Sequence, residues 1–148
     1  MKKDYDYIIC GGGASGLLLS NALISDRFFD DKKVLIIEKE AKVDNDKTFS
    51  FWDNQSNILD RIVFKSWEKA EFKDSEFSSS FNLSPYKYKM VRSDRFYSYM
   101  RKKIDRASNF TYLNATVKGI DKDSNHNNVK TDHGDFLCLL YTSDAADE

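Results

Sequence analysis

Gly11, Gly13 and Gly16 stand in the spacing Gly-x-Gly-x-x-Gly, directly after the apolar run Tyr7-Ile8-Ile9-Cys10. That spacing suits one kind of chemistry, the cradling of a pyrophosphate. Gly11 is expected to make the tight turn out of a strand. Gly13, without a Cβ, lets the backbone approach the phosphates. Gly16 lets the next helix pack against the strand. The start of that helix adds unpaired N–H groups and a partial positive charge. Glu38 follows Gly16 by 22 residues and closes a second apolar run, Val34-Leu35-Ile36-Ile37. A carboxylate about 20 residues on accepts hydrogen bonds from the hydroxyls of an adenosine ribose and repels a 2′-phosphate, which disfavours NADP. A lone glycine pattern is weak. Strand, glycine turn, helix, strand and acid in this order make a dinucleotide-binding βαβ unit.

The rest of the chain must hold that unit in place. Leu17 to Leu23 continues the first helix, with Leu19, Ala22 and Leu23 recurring at helical spacing. Ser25 to Lys33 is a polar connection in which Phe28 and Phe29 are expected to cover the sheet edge, and charged Lys39 to Lys47 reads as a surface loop. Lys47-Thr48-Phe49-Ser50-Phe51-Trp52 alternates like a short strand; its aromatics suit a core, and they equally suit a flavin or substrate cleft. Ile58 to Phe64 is a short helix or an extended piece, with Ile58, Leu59, Ile62 and Val63 inward. Ser66 to Phe72 suits a strand, and serine-rich Ser75 to Ser84 a turn. Tyr86-Lys87-Tyr88-Lys89-Met90-Val91 has the period of a half-exposed strand whose lysines are solvated. Ser93 or Asp94 can cap a helix carrying Phe96, Tyr97, Met100 and Ile104 on one face, with a basic run from Arg101 to Arg106 near its end. Phe110 to Leu113 and Ala115 to Ile120 read as strands. With Val129-Lys130-Thr131 and Phe136-Leu137 they begin a β-meander, with His126 and His133 solvated in its turns.

Composition narrows the class. A chain of 148 residues can bury one real core. Its formal net charge of −1 gives no footprint for nucleic acid, so the Tyr/Lys alternation is not a stacking surface for bases. Cys10 and Cys138 form no disulfide framework, and Cys10 reads as a small buried apolar residue of a reducing compartment. No histidine has a partner at metal-ligand spacing, and no metal is expected. No secretory leader and no apolar run approaching about 18 residues is visible, which points to a cytoplasmic protein.

Several stretches together resemble the N-terminal part of bacterial, Bacteroidetes-type lycopene β-cyclases. They are Asp4 to Leu19, Val34 to Glu40, Lys47-Thr48-Phe49-Ser50-Phe51-Trp52, Ser66-Trp67-Glu68-Lys69-Ala70 and Tyr88-Lys89-Met90-Val91-Arg92-Ser93. The first two are shared with many flavoproteins. The Lys47–Trp52 block is the specific one, although the family usually has Trp where this chain has Phe49. The Lys89–Ser93 block is the second specific match, and Asp94-Arg95-Phe96-Tyr97 departs slightly from the family. The resemblance implies FAD, required in reduced form, with NAD(P)H as candidate reductant. It implies lycopene or a related carotenoid as substrate, and peripheral membrane contact of the intact enzyme. Such enzymes close linear lycopene ends into β-ionone rings without net redox change. A carboxylic acid protonates the polyene end, the ring closes and a proton leaves. The family's acid lies beyond position 137, so no catalytic residue is assigned. The cofactor-binding set is Gly11, Gly12, Gly13, Ala14, Ser15, Gly16, Glu38, Lys39, Arg92 and Val117. Other flavoproteins of this architecture, an aromatic-ring monooxygenase or a prenyl reductase, and an inactive nucleotide-binding fragment, are the alternatives.

The residues from Cys138 to Glu148 do not resemble the family. They match, codon by codon, the translation of a transposon-type sequencing adapter, and are expected to pack against nothing specific. The resulting expectation is an α/β protein: an incomplete Rossmann-like FAD/NAD(P)-binding domain over 1–137, with part of a β-meander, and a non-native tail over 138–148.

Overall fold

The computed structural model describes residues 3–122 and 126–138. The chain divides into two compact units. One runs to Ala41 and resumes at Met100; the other is Lys42–Tyr99. In chain order, β1 (Lys3–Tyr5) and β2 (Tyr7–Cys10) lead into α1 (Ala14–Ser25), a 3-10 turn at Arg27–Phe29, and β3 (Val34–Glu38). The second unit holds β4 (Thr48–Asp53), a 3-10 turn at Ile58–Ile62, β5 (Lys65–Trp67), β6 (Lys69–Lys73), β7 (Ser78–Asn82) and β8 (Lys87–Arg92). Helix α2 (Ser93–Ile104) starts there and ends in the first unit. It is followed by β9 (Phe110–Asn114), β10 (Val117–Lys122), β11 (Asn127–Thr131) and β12 (Gly134–Cys138).

The first unit is built on a parallel sheet in the order β2-β3-β9. Its central strand β3 is buried along its whole length. Continuous burial is what its unbroken Val-Leu-Ile-Ile run requires, since a central strand of a parallel sheet is covered by packed layers on both faces. Each of these side chains contributes roughly 1.5–3 kcal/mol by burial. The meander strands β10, β11 and β12 pair antiparallel, and β12 then pairs parallel with β1. Tyr5, Leu35, Ile37, Ala115, Val129 and Phe136 form the core between this sheet and the parallel one. The expected α/β, Rossmann-like architecture is therefore present in this unit, meander included.

Several local expectations are corrected. Helix α1 buries Leu17 and Ser20, while Leu18 and Leu19 are exposed. The close approach at Gly16 turns the 16–20 face inward, and Ser20 Oγ is satisfied by donating to the Gly16 carbonyl at 2.7 Å. Phe29 packs edge-on against Tyr7, but Phe28 is exposed. Ser66 to Phe72 is two strands, β5 and β6, broken at Glu68. The serine-rich stretch supplies β7, which pairs with β6 as a hairpin. Strand β8 is present, yet Lys89 is buried rather than solvated, because its ammonium bonds Asp53 at 2.8 Å and Asp60 at 2.5 Å. Phe49 packs on Phe96 and Tyr97 as core, whereas Trp52 is exposed. Ser93 does not cap α2 from outside: it is the first residue of the helix. Its hydroxyl accepts from the Lys47 amide and donates to Asp46 Oδ1 and the Asp44 carbonyl. The stripe Phe96, Tyr97, Met100 and Ile104 is buried as expected.

His133 is exposed and bonded to Asp132, while His126 is half-buried just ahead of β11. Cys138 is buried at the end of β12, opposite Tyr5 and Asn127, and its thiol contacts the Asp6 carbonyl. That residue therefore does not behave as a tail without contacts. Residues 139–148, which carry the rest of the tail reading, lie outside the described residues. No helix among the described residues is long and apolar enough to cross a membrane.

Candidate functional site

The backbone leaves β2 at Gly11 with φ +119°, a left-handed value that favours glycine. Its amide donates to the Ile37 carbonyl at 2.8 Å, so the start of the turn is laced to β3. Gly13 is the N-cap of α1, with φ −75°. A Cβ added there meets no protein atom within 4 Å, which leaves that side of the turn open to a ligand. No side chain caps α1, and no acid lies in its first turn. The start of α1 thus has no side-chain competitor of its own for an anion, the feature that phosphate binding at a helix N-terminus uses. At Gly16 a Cβ would run into the Gly11 carbonyl oxygen, so the third glycine brings the helix onto the turn, as its position in the pattern implies.

Glu38 closes β3 and is 7% exposed. Its Oε2 accepts from the Gly12 amide at 2.7 Å and its Oε1 from the Glu40 amide at 3.0 Å. These two backbone bonds orient the carboxylate at the end of β3, against the glycine turn. Beside it lies a crevice of about 250 Å³ lined by Cys10, Gly11, Ile37, Glu38, Lys39, Ala115, Thr116 and Val117. It sits at the carboxyl ends of parallel strands, where α/β sheets bind ligands. The chain thus brings together Gly11, Glu38, Lys39 and Val117. Gly12 is joined to Glu38 by its amide, and Gly13, Ala14, Ser15 and Gly16 follow along the same turn and helix start. Lys39 and Ser15 are exposed, and Ala14 is half-buried.

Arg92 belongs to the other unit, at the end of β8. Its guanidinium carbon lies 5.7 Å from the Phe64 ring centroid and its Nε 3.5 Å from Asp94 Oδ1. Cys10 was expected to be buried; it is exposed because it ends β2 at the mouth of the crevice. Ala115 and Thr116 were not singled out from the sequence. Their place became legible only with the β3–β9 register, which sets the chain leaving Asn114 beside Glu38. The Ala115 amide indeed donates to the Glu38 carbonyl at 3.0 Å.

Comparison with known proteins bears on the family and the fold. A family described as Lycopene cyclase protein matches residues 6–145. An oxygen-dependent choline dehydrogenase of Staphylococcus aureus (strain JH9) is 36% identical over 67 residues, 45% of this chain and 10% of its own length. Among solved structures, p-nitrophenol 4-monooxygenase PnpA from Pseudomonas putida DLL-E4 superposes with a TM-score of 0.69 at 16% identity, covering 93% of this chain and 39% of that one. The flavin-dependent brominase Bmp2 gives 0.68 at 19% identity, covering 93% and 36%. The chain spans well under half the length of each of these three proteins, and the two structural likenesses speak for the fold. The family match covers nearly all of the sequence: the chain belongs to the lycopene cyclase family.

Proposed function

We propose that this chain is the N-terminal, FAD-binding part of an enzyme that closes the linear ends of lycopene into β-ionone rings without net redox change. The observation that carries the reading is the family match over residues 6–145. The site geometry supports it. The open side of Gly13 and the uncapped start of α1 suit the pyrophosphate. Glu38, oriented by the Gly12 and Glu40 amides, takes the adenosine ribose, and the crevice between Glu38 and Val117 takes the adenine end. Bound in reduced form, with NAD(P)H as reductant, FAD supplies fixed negative charge near a developing cation. The chain's own part is to bind and orient: the turn fixes the phosphates, and Glu38 rejects a 2′-phosphate by charge repulsion. No acid of this chain is assigned as the proton donor for the polyene end.

The test is expression of the uninterrupted coding sequence, and of the 148-residue chain, in a lycopene-accumulating host, with separation of the pigments. Ring-closed carotenoid from the uninterrupted sequence and none from the short chain is the expected result. Unchanged lycopene in both, or NAD(P)H consumed one for one with an oxygenated product, contradicts the reading and favours a monooxygenase.

A further inference from the structure

A methyl group on Gly12 would come within 2.6 Å of the Tyr112 hydroxyl oxygen and 2.9 Å of Glu38 Cβ. The Gly12 amide is itself bonded to Glu38 Oε2. Glycine turn, acid and phenol therefore meet at one point. Tyr112 reaches it through register: β9 runs parallel to β3 with Ile36 opposite Tyr112 and Glu38 opposite Asn114. Side chains alternate along a strand, so Tyr112 shares a sheet face with Ile36 and Glu38. On the ring of Tyr112 lies the guanidinium of Arg101, 3.5 Å from the centroid. At that distance the guanidinium carbon sits directly on the ring, a cation–π contact to which a flat guanidinium is better suited than an ammonium. Asp105, one helical turn on, stands 3.6 Å from Arg101 and steadies it.

We infer that Tyr112, stacked under Arg101, is a positioning residue of the cofactor site: it fixes where Glu38 and Gly12 stand, and so sets the site's preference for an intact adenosine 2′,3′-diol. Nothing in the glycine pattern discloses it, since the two residues come from α2 and β9, far along the chain. The inference rests on the reading of Glu38 as the ribose acceptor.

The experiment is calorimetric binding of ADP and of 2′-deoxy-ADP to the 148-residue chain, with circular dichroism to show that each variant folds. Wild type is expected to prefer ADP by about ten-fold, the worth of one hydrogen bond to a charged group. Tyr112→Phe removes one oxygen from an otherwise unchanged ring and is expected to cut that preference to about two- to three-fold. Arg101→Ala is expected to move it the same way, and Arg101→Lys, which keeps the charge but not the plane, to lie between. A preference unchanged in Tyr112→Phe overturns the inference alone. So does an equal loss of affinity for both nucleotides, which is the mark of a merely structural role. Arg101→Ala with wild-type preference removes Arg101 from it. A wild-type chain with no preference overturns the ribose reading of Glu38, and the inference with it.

Discussion

Glu38 is asked to do two things at once, and its two oxygens divide the work. Oε2 takes the Gly12 amide and so closes the glycine turn, Oε1 takes the Glu40 amide just after β3, and on the proposed reading the same carboxylate also meets the ribose. Glu38→Gln keeps the shape and loses the charge. It should weaken FAD by about 1.5–3 kcal/mol, the range for hydrogen bonds to charged groups, read by flavin fluorescence titration. Equal affinity would show that Glu38 serves the turn only. Gly13 offers the cleaner separation of fold from ligand. Its φ is ordinary and its side-chain direction empty of protein atoms, so Gly13→Val should fold, with a circular dichroism spectrum like wild type, and yet retain no flavin. Flavin co-purifying undiminished would place the phosphates elsewhere. The turn at Gly11 and the close packing at Gly16 were legible because each depends on neighbours close in sequence, and the spacing also pointed to Glu38, which the structure sets against the turn. The demand for glycine at position 12 was not, because the atom that imposes it belongs to Tyr112, a hundred residues later.

At the scale of elements, β3 and α2 announced themselves, one by an unbroken apolar run and the other by a stripe at helical spacing. Strand β8 announced itself too, but with the wrong inside. Alternation gives the period of a strand and not which parity is buried when both parities carry long side chains. Lys89 turns inward because Asp53, on the neighbouring β4, and Asp60, on the 3-10 turn, meet its ammonium. The hairpin β6–β7 was hidden for a related reason: serines usually signal a turn, yet Ser78 to Asn82 pairs residue by residue with Lys69 to Lys73. The ion-pair cluster of buried Lys89 with half-buried Asp53 and more exposed Asp60 has a pH signature. Hydrogen bonds from Lys89 hold Asp53 and Asp60 below the usual carboxylate range, and the two carboxylates hold Lys89 above its usual range. Folded-state values below the unfolded ones mean that the carboxylates stabilise the fold above about pH 4, and that this stability is lost as pH falls through their lowered values. Lys89 stabilises below its unfolded value and loses that contribution as pH rises through its raised one. Lys89→Met should therefore lower the urea midpoint most at neutral pH, with the gap to wild type closing in acid. A gap that is constant down to the acid limb would mean that Lys89 contributes by packing alone.

Across the whole molecule, the sequence order of elements concealed a division into two units, one of them interrupted by the other. Periodicity is local and cannot show that β9, after the inserted unit, returns to pair with β3. The crevice beside Glu38 depends on that return, since Ala115, Thr116 and Val117 follow β9 directly. The glycine turn was thus readable from sixteen residues, while the opposite wall of the site required the fold. The central claim is that FAD seats its adenosine end in this crevice, with its phosphates on the turn. The most direct measurement is an amide-resolved NMR titration of the 148-residue chain with FAD. Saturable shifts confined to Gly11 through Gly16, Glu38, Lys39 and Ala115 through Val117 are the predicted result. Absence of saturable shifts, or shifts centred on the β6–β7 hairpin with the glycine turn unmoved, would contradict it.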